Sequence, residues 1–121
     1  MARTTDSGIK IIHNPHCSKC RATLALLNEN NIQPEIVEYL DQPLSFADIS
    51  KLLDYLGAEP RDIMRKHEAE YSNENLDDSM LTREQLIQAM AAHPILIERP
   101  IVVKGNKAII GRPPSNVLTL I

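Results

Sequence analysis

Cys17 and Cys20 stand three positions apart near the start of the chain, within His13-Asn14-Pro15-His16-Cys17-Ser18-Lys19-Cys20. They are its 2 cysteines. A thiol reacts as its thiolate, and a thiolate is favoured where backbone N–H groups and the positive end of a helix dipole face the sulfur. Cys17 is predicted to sit at or just before such a helix start, partly exposed and with a lowered pKa. His13 and His16 are close enough in sequence to add positive charge. Cys20 lies one helical turn later, within reach of Cys17 as in C-x-x-C redox pairs. Two plainer readings stand beside these: Cys17 as a small buried hydrophobe, and Cys20 as a packing residue on the first turn. Zinc accepts ligands of the His13, His16, Cys17 and Cys20 types, but its sites usually combine two separated pairs. No second cysteine pair exists, so no metal is expected. Arg21 follows Cys20 where a haem-attachment signature needs His.

Arg65, Arg99 and Arg112 stand out by context: after an apolar turn, before Pro100 and a strand, and after a hairpin. Guanidinium forks suit tetrahedral oxyanions. Taken singly, each also reads as a solvated surface arginine, and periodicity alone joins none of them to Cys17.

The elements that must position these residues follow from patterning. Ile9–Ile12 is a short β-branched strand, and Arg21–Asn28 is a helix with an apolar face at Leu24, Ala25, Leu26 and Leu27. Glu35–Tyr39 alternates as a second strand, giving a parallel strand–helix–strand unit with a right-handed crossover. Ser45 with Asp48 forms a capping box before Ile49, Leu52, Leu53 and Leu56, and Gly57 stops that helix. Pro60 starts a short helix through Arg65. The acidic stretch 67–80 reads as a solvated loop with at most a helical turn. Thr82 and Gln85 cap a further helix through Met90, ended by His93-Pro94. Ile101–Val103 and Ala108–Ile110 are hairpin strands about a Gly105-Asn106 turn. Pro113 and Pro114 open a last helix with Val117, Leu118 and Ile121 on one face. The order predicts an α/β fold: a thioredoxin-like mixed sheet, β-α-β then β-β-α, with a helical insertion between strands 2 and 3. A flexible tail over residues 1–8 and one domain over 9–121 are expected.

The totals are consistent with that. The chain has 121 residues, 43% of them hydrophobic and 24% charged, enough for one core without staples. A formal charge of −3 disfavours nonspecific nucleic-acid binding. Neither a signal peptide nor a run long enough to span a bilayer is present, so a cytoplasmic, monomeric protein without membrane partners is expected.

Several stretches together resemble one family: HNPHCSKCR, PEIVEYL, the I-M-R-K turn, AAHPILIERPIVV and GRPPSNVL. In one register from about Ile9 to Ile121, the chain resembles the glutaredoxin-linked (ArsC-like) arsenate reductases. The resemblance implies reduction of arsenate to arsenite, with glutathione as co-substrate, glutaredoxin as partner and no bound cofactor. It implies Cys17 as the nucleophile, His13 as the histidine near the thiolate, and Arg65, Arg99 and Arg112 as oxyanion-binding arginines. It also implies a cis peptide at Pro100. Cys20 departs from the pattern, since such reductases usually lack a second cysteine there; it is a possible resolving thiol. A C-x-x-C at this place also resembles the related Spx regulators, which bind RNA polymerase and use the pair as a redox switch. Alternatives are therefore a thiol oxidoreductase of the same family with another substrate, or a redox-sensing binding protein.

Overall fold

The computed structural model describes residues 8–121. The tail expected over residues 1–8 lies, Gly8 excepted, outside the described residues. The chain divides into two compact units, one of residues up to Gln42 together with Arg99–Ile121, the other of Pro43–Glu98.

The first unit holds four strands: β1 (Ile9–His13), β2 (Glu35–Glu38), β3 (Ile101–Lys104) and β4 (Lys107–Ile110). They form a sheet of order β2-β1-β3-β4. β1 runs parallel to β2 and antiparallel to β3, and β3 antiparallel to β4. This is the mixed sheet of the thioredoxin-like fold, with the helical insertion between β2 and β3. β1 is hydrogen-bonded along both edges, with Ile11 opposite Ile36 on one side and Val102 on the other. All its residues but Lys10 are buried, which is why it reads as a nearly unbroken apolar run rather than an alternation.

α1 (Ser18–Glu29) connects β1 to β2 and buries Cys20, Thr23 and Leu27, spaced three and four apart. It starts three residues before the apolar face suggested. Its first turn holds the exposed Ser18 and Lys19, which carry no hydrophobic period. Ile9, Ile11, Leu27, Val102 and Val117 form the unit's core, with Leu24, Ile36, Ile109 and Leu120 packed against it. Each such side chain, fully buried, contributes about 1.5–3 kcal/mol. That contribution holds α1 on the sheet and therefore sets where its first turn lies.

The closing segment, Pro114–Thr119, is a 3₁₀ helix rather than the α-helix expected. At three residues per turn, Val117 and Leu120 share the inward side, while Leu118 stays 47% exposed. In the hairpin, Gly105 takes φ +63°, as a two-residue turn requires.

The second unit is helical: α2 (Phe46–Leu56), α3 (Ala69–Asn73) and α4 (Arg83–Ala92), with 3₁₀ turns at Pro60–Ile63 and Pro94–Leu96. Both capping boxes form, Ser45 with Asp48 and Thr82 with Gln85, and Gly57 adopts the left-handed conformation that ends α2. α2 and α4 pack on each other. Residues 67–80 are more ordered than an acidic solvated loop. Tyr71 and Leu76 are buried, and the Arg61 guanidinium donates to the carbonyls of Leu76 (2.9 Å) and Asp78 (2.6 Å). Two apolar anchors among many carboxylates gave no periodic signal.

One position in the first unit tolerates no side chain. A Cβ on Gly111 would lie 2.7 Å from Thr23 Oγ1 and 2.9 Å from Pro100 Cγ. Thr23 cannot swing aside freely, because its hydroxyl donates to the Lys19 carbonyl at 2.8 Å inside α1. Gly111→Ala is therefore expected to destabilise the protein by about 1–3 kcal/mol. Urea denaturation checks this, and an unchanged midpoint would show that α1 and the post-hairpin segment are not closely packed.

Candidate active site

Cys17 is the N-cap of α1, in extended backbone geometry with φ −96° and ψ 124°. Its N–H donates to the Asn14 carbonyl at 3.0 Å, and its carbonyl accepts from Arg21 N–H at 3.0 Å. Asn14 shapes the loop in between. Its Oδ1 accepts the His16 N–H at 3.0 Å, an Asx turn, and the Arg21 guanidinium donates to the Pro15 carbonyl at 2.9 Å. Sequence reading passed over Asn14, although Asn before Pro is a recognised turn signal.

Cys17 is only 8% exposed, less than the partial exposure expected. Burial alone would push its pKa up. Against this act the Cys20 N–H, the Cys20 thiol, the Lys19 N–H and the Arg112 guanidinium, and together they win, so the Cys17 pKa lies below its ordinary value. Cys20 has the opposite balance. It is fully buried, and burial is the largest cause raising its pKa. The Asn14 N–H, 3.5 Å from its sulfur, favours the thiolate, whereas its hydrogen bond to Cys17 and the charge there oppose it. The result is a thiol pushed up to about 12. Of the two sulfurs, Cys17 is therefore the one that gives up its proton first, while Cys20 keeps its own.

Arg112 reaches this pair from the segment after β4. Its NH2 lies 3.5 Å from the Cys17 sulfur, and its Nε donates to the Arg99 carbonyl at 2.6 Å. Asn116 Nδ2 donates to the Arg112 carbonyl at 3.0 Å and fixes the segment from the other side. Arg99 is half-buried, and the Arg99–Pro100 peptide bond is cis, as is Arg112–Pro113. The structure thus brings together Cys17, Cys20 and Arg112, with the Arg99 backbone bracing Arg112.

His13 does not add the positive charge expected of it. It is 5% exposed, and burial lowers its pKa; Glu38 pulls the other way and Arg21 reinforces the lowering. It is neutral near pH 7, and among the described residues its Nδ1 has no hydrogen-bond partner. His16 is exposed. A cleft of about 150 Å³ beside the motif is lined by His13, Asn14, His16, Glu38 and Asp41 among others.

Arg65 belongs to the second unit. Its side chain is 12% exposed and committed to carboxylates, Glu68 at 3.0 Å and Glu98 at 3.3 Å. Its NH2 also meets His67 Nε2 at 3.1 Å. Among the described residues, no group of three or more His, Cys, Asp and Glu is gathered to hold a metal ion, and no helix is long and apolar enough to cross a membrane.

Comparison with known proteins agrees with the fold. The model of the ArsC family matches residues 12–120. The chain is 52% identical over 114 residues to the uncharacterized protein YfgD of Escherichia coli K12, covering 93% of this chain and 96% of that one. It is 46% identical over 112 residues to an arsenate reductase of Haemophilus influenzae, covering 92% and 97%. Among solved structures, an arsenate reductase from Vibrio cholerae superposes with a TM-score of 0.92 at 46% identity, covering 95% of this chain and 98% of that one. A family model that spans nearly the whole sequence, and relatives that align along almost all of both chains, establish that the chain belongs to the ArsC family.

Proposed function

We propose that this protein reduces arsenate to arsenite, with the Cys17 thiolate attacking the oxyanion and glutathione with glutaredoxin supplying the electrons. The observation that carries this reading is the approach of the Arg112 guanidinium to the Cys17 sulfur, 3.5 Å away, at the N-terminus of α1. A nucleophile needs its pKa lowered, and an oxyanion needs positive charge beside the nucleophile. One guanidinium and one helix terminus meet both needs. Relatives at 44% and 46% identity that are named arsenate reductases support the choice of oxyanion.

In this reading the Cys17 sulfur bonds to arsenic, and one arsenate oxygen leaves as water. Arg112 and the first-turn N–H groups stabilise the charge on the remaining oxygens. A glutathione thiolate then attacks the Cys17 sulfur; the pair of electrons in the sulfur–arsenic bond passes to arsenic, which leaves as arsenite. Glutaredoxin reduces the mixed disulfide that results. Arg99 supports Arg112 through its carbonyl and offers its own guanidinium as a second anion ligand. Arg65 would serve as a third only by exchanging Glu68 or Glu98 for the anion. His13 acts as a neutral neighbour of the thiolate, not as a cation. The protein is read as cytoplasmic and monomeric, with no bound cofactor.

The pH dependence follows from the balance at Cys17. Its alkylation rate is expected to reach half-maximum below the ordinary thiol value of about 8.5. Cys20, pushed up to about 12, stays out of that range. Because Arg112 stabilises the thiolate, Arg112→Ala should move the midpoint upward, so that the reactive fraction at pH 6 falls; Arg112→Lys, which keeps a charge, should move it less. A midpoint unaltered in both variants would remove Arg112 from the thiolate's surroundings.

Turnover tests the reaction itself. In an arsenate assay coupled to glutathione and glutaredoxin, Cys17→Ser should fall to background. Arg112→Ala should lower kcat/KM by about 10²–10³-fold, the usual cost of removing one aligned oxyanion donor. Arg99→Ala should act mainly on KM, by about tenfold, the size of one charge-assisted hydrogen bond. Wild-type protein with no arsenate turnover under these conditions would defeat the reading.

A further inference from the structure

We propose that Asn116 is a positioning residue for the reaction at Cys17: its side-chain amide supplies hydrogen bonds that Pro113 and Pro114 cannot, and so holds the Arg112 guanidinium beside the sulfur. The starting point is a shortage of donors. Proline carries no backbone N–H, and two prolines follow Arg112 directly. The carbonyls just upstream still need partners. Gly111 N–H donates to the Pro100 carbonyl at 2.9 Å, which makes those two the hydrogen-bonded pair and turns the Ile110 carbonyl away from β3, toward the free edge of β4. Asn116 Nδ2 donates to that carbonyl at 3.3 Å and to the Arg112 carbonyl at 3.0 Å. An amide nitrogen has two protons to give, a hydroxyl one and a carboxylate none, so Asn serves two acceptors where Ser or Asp would not. Pro100 repeats the pattern: it has no N–H to return to Gly111, and the Thr23 hydroxyl lies 3.4 Å from the Gly111 carbonyl instead.

Asn116 can impose a position because its own is fixed. It lies in the 3₁₀ helix Pro114–Thr119, where its N–H donates to the Pro113 carbonyl at 3.0 Å and its carbonyl accepts the Thr119 hydroxyl at 2.8 Å. Val117, next in the chain, is fully buried in the core with Ile9, Ile11, Leu27 and Val102. From that core the constraint passes through the Asn116 amide to the backbone of residues 110–112.

Arg112 turns that constraint into charge placement. Its NH2 lies 3.5 Å from the Cys17 sulfur, and its Nε donates to the Arg99 carbonyl at 2.6 Å. The guanidinium stands at the end of a long stem, so its reach depends on the direction in which residue 112 leaves the backbone. Without the amide, the Arg112 carbonyl must turn to water for a partner, the peptide rotates, and the guanidinium leaves the sulfur. Arg112 is one of the groups that lower the Cys17 pKa, so the loss is readable at the thiol. Asn116 acts only through Arg112, which separates a positioning role from a general effect on folding. The consequence for arsenate turnover rests on the function proposed above; the consequence for the thiol does not.

The test follows the rate of Cys17 alkylation against pH in the reduced full-length protein. Asn116→Ala should raise the midpoint and lower the reactive fraction at pH 6 by about 2–10-fold, the size of one hydrogen bond. Asn116→Ser, which keeps one donor, should do so less. In an Arg112→Ala background neither substitution should move the midpoint further. Thr119→Ala removes a hydrogen bond from the same 3₁₀ helix without touching Arg112; it should lower the urea midpoint and leave the alkylation midpoint in place. If Asn116→Ala does not fold, the Ser variant, with and without Arg112, makes the same comparison. A midpoint unaltered by the Asn116 variants, or a shift as large without Arg112 as with it, would overturn the proposal. In the arsenate assay kcat/KM should fall with Asn116→Ala only where Arg112 is present. Wild-type protein that turns over no arsenate, while the alkylation shift depends on Arg112 as described, upholds the positioning role and defeats the arsenate reading.

Discussion

Everything at this site depends on keeping a negative charge on a sulfur that is nearly out of water. Burial opposes the Cys17 thiolate more strongly than any single group favours it. It persists because several modest contributions converge: two first-turn N–H groups, a neighbouring thiol and a guanidinium. None can do this alone, and none is useful a few ångströms out of place. The hydrophobic core of the first unit therefore has a chemical consequence. Leu27, packed with Ile9, Ile11 and Val102, fixes α1 on β1, and so fixes where the N–H groups of its first turn converge. The same helix carries Thr23, whose close approach to Gly111 sets the path of the residue before Arg112.

The two cysteines share a turn but not an environment. Both lose hydration, yet the Cys17 sulfur caps the helix start while Cys20 points into the protein beneath it. Where the two share a single proton, it lies on the more deeply buried sulfur. That placement is the cheaper one electrostatically, because a charged Cys17 has helix N–H groups and Arg112 beside it, whereas Cys20 has chiefly the Asn14 N–H. It also leaves the thiolate on the more accessible sulfur.

Much of this was legible from residue types and spacing. Apolar periodicity and capping boxes placed the strands and the two long helices, because those signals report burial and unsatisfied N–H groups directly. The Cys17 position between Ile9–Ile12 and the Leu24–Leu27 face pointed to a helix N-terminus. Four things escaped. The 3₁₀ closing segment could not be told from an α-helix by Val117, Leu118 and Ile121, since a six-residue stretch barely separates periods of 3.0 and 3.6. Tyr71 and Leu76 were hidden among carboxylates. The neutral state of His13 depends on how completely β1 is buried, a property of both faces of the sheet that no local window contains. The ion pairs of Arg65 lay equally outside any local window, because Glu98 comes beside it only through the fold.

The arginine that does reach Cys17 illustrates why context outweighs residue type. A long, flexible side chain on a surface loses much of its attraction for an anion to the entropy of holding still. Arg112 is held before any anion arrives: its Nε is engaged by the Arg99 carbonyl, its own carbonyl by Asn116, and its backbone follows a glycine wedged between Thr23 and Pro100. Its NH2 lies 3.5 Å from the sulfur, so the guanidinium's charge is already in place beside the thiol. Arg65 is equally restrained but by two carboxylates, which neutralise it as they fix it. Restraint by a carbonyl leaves the guanidinium's charge available; restraint by a carboxylate spends it. By that criterion the positive charge at Cys17 comes from Arg112, whereas the charge of Arg65 is balanced within its own unit.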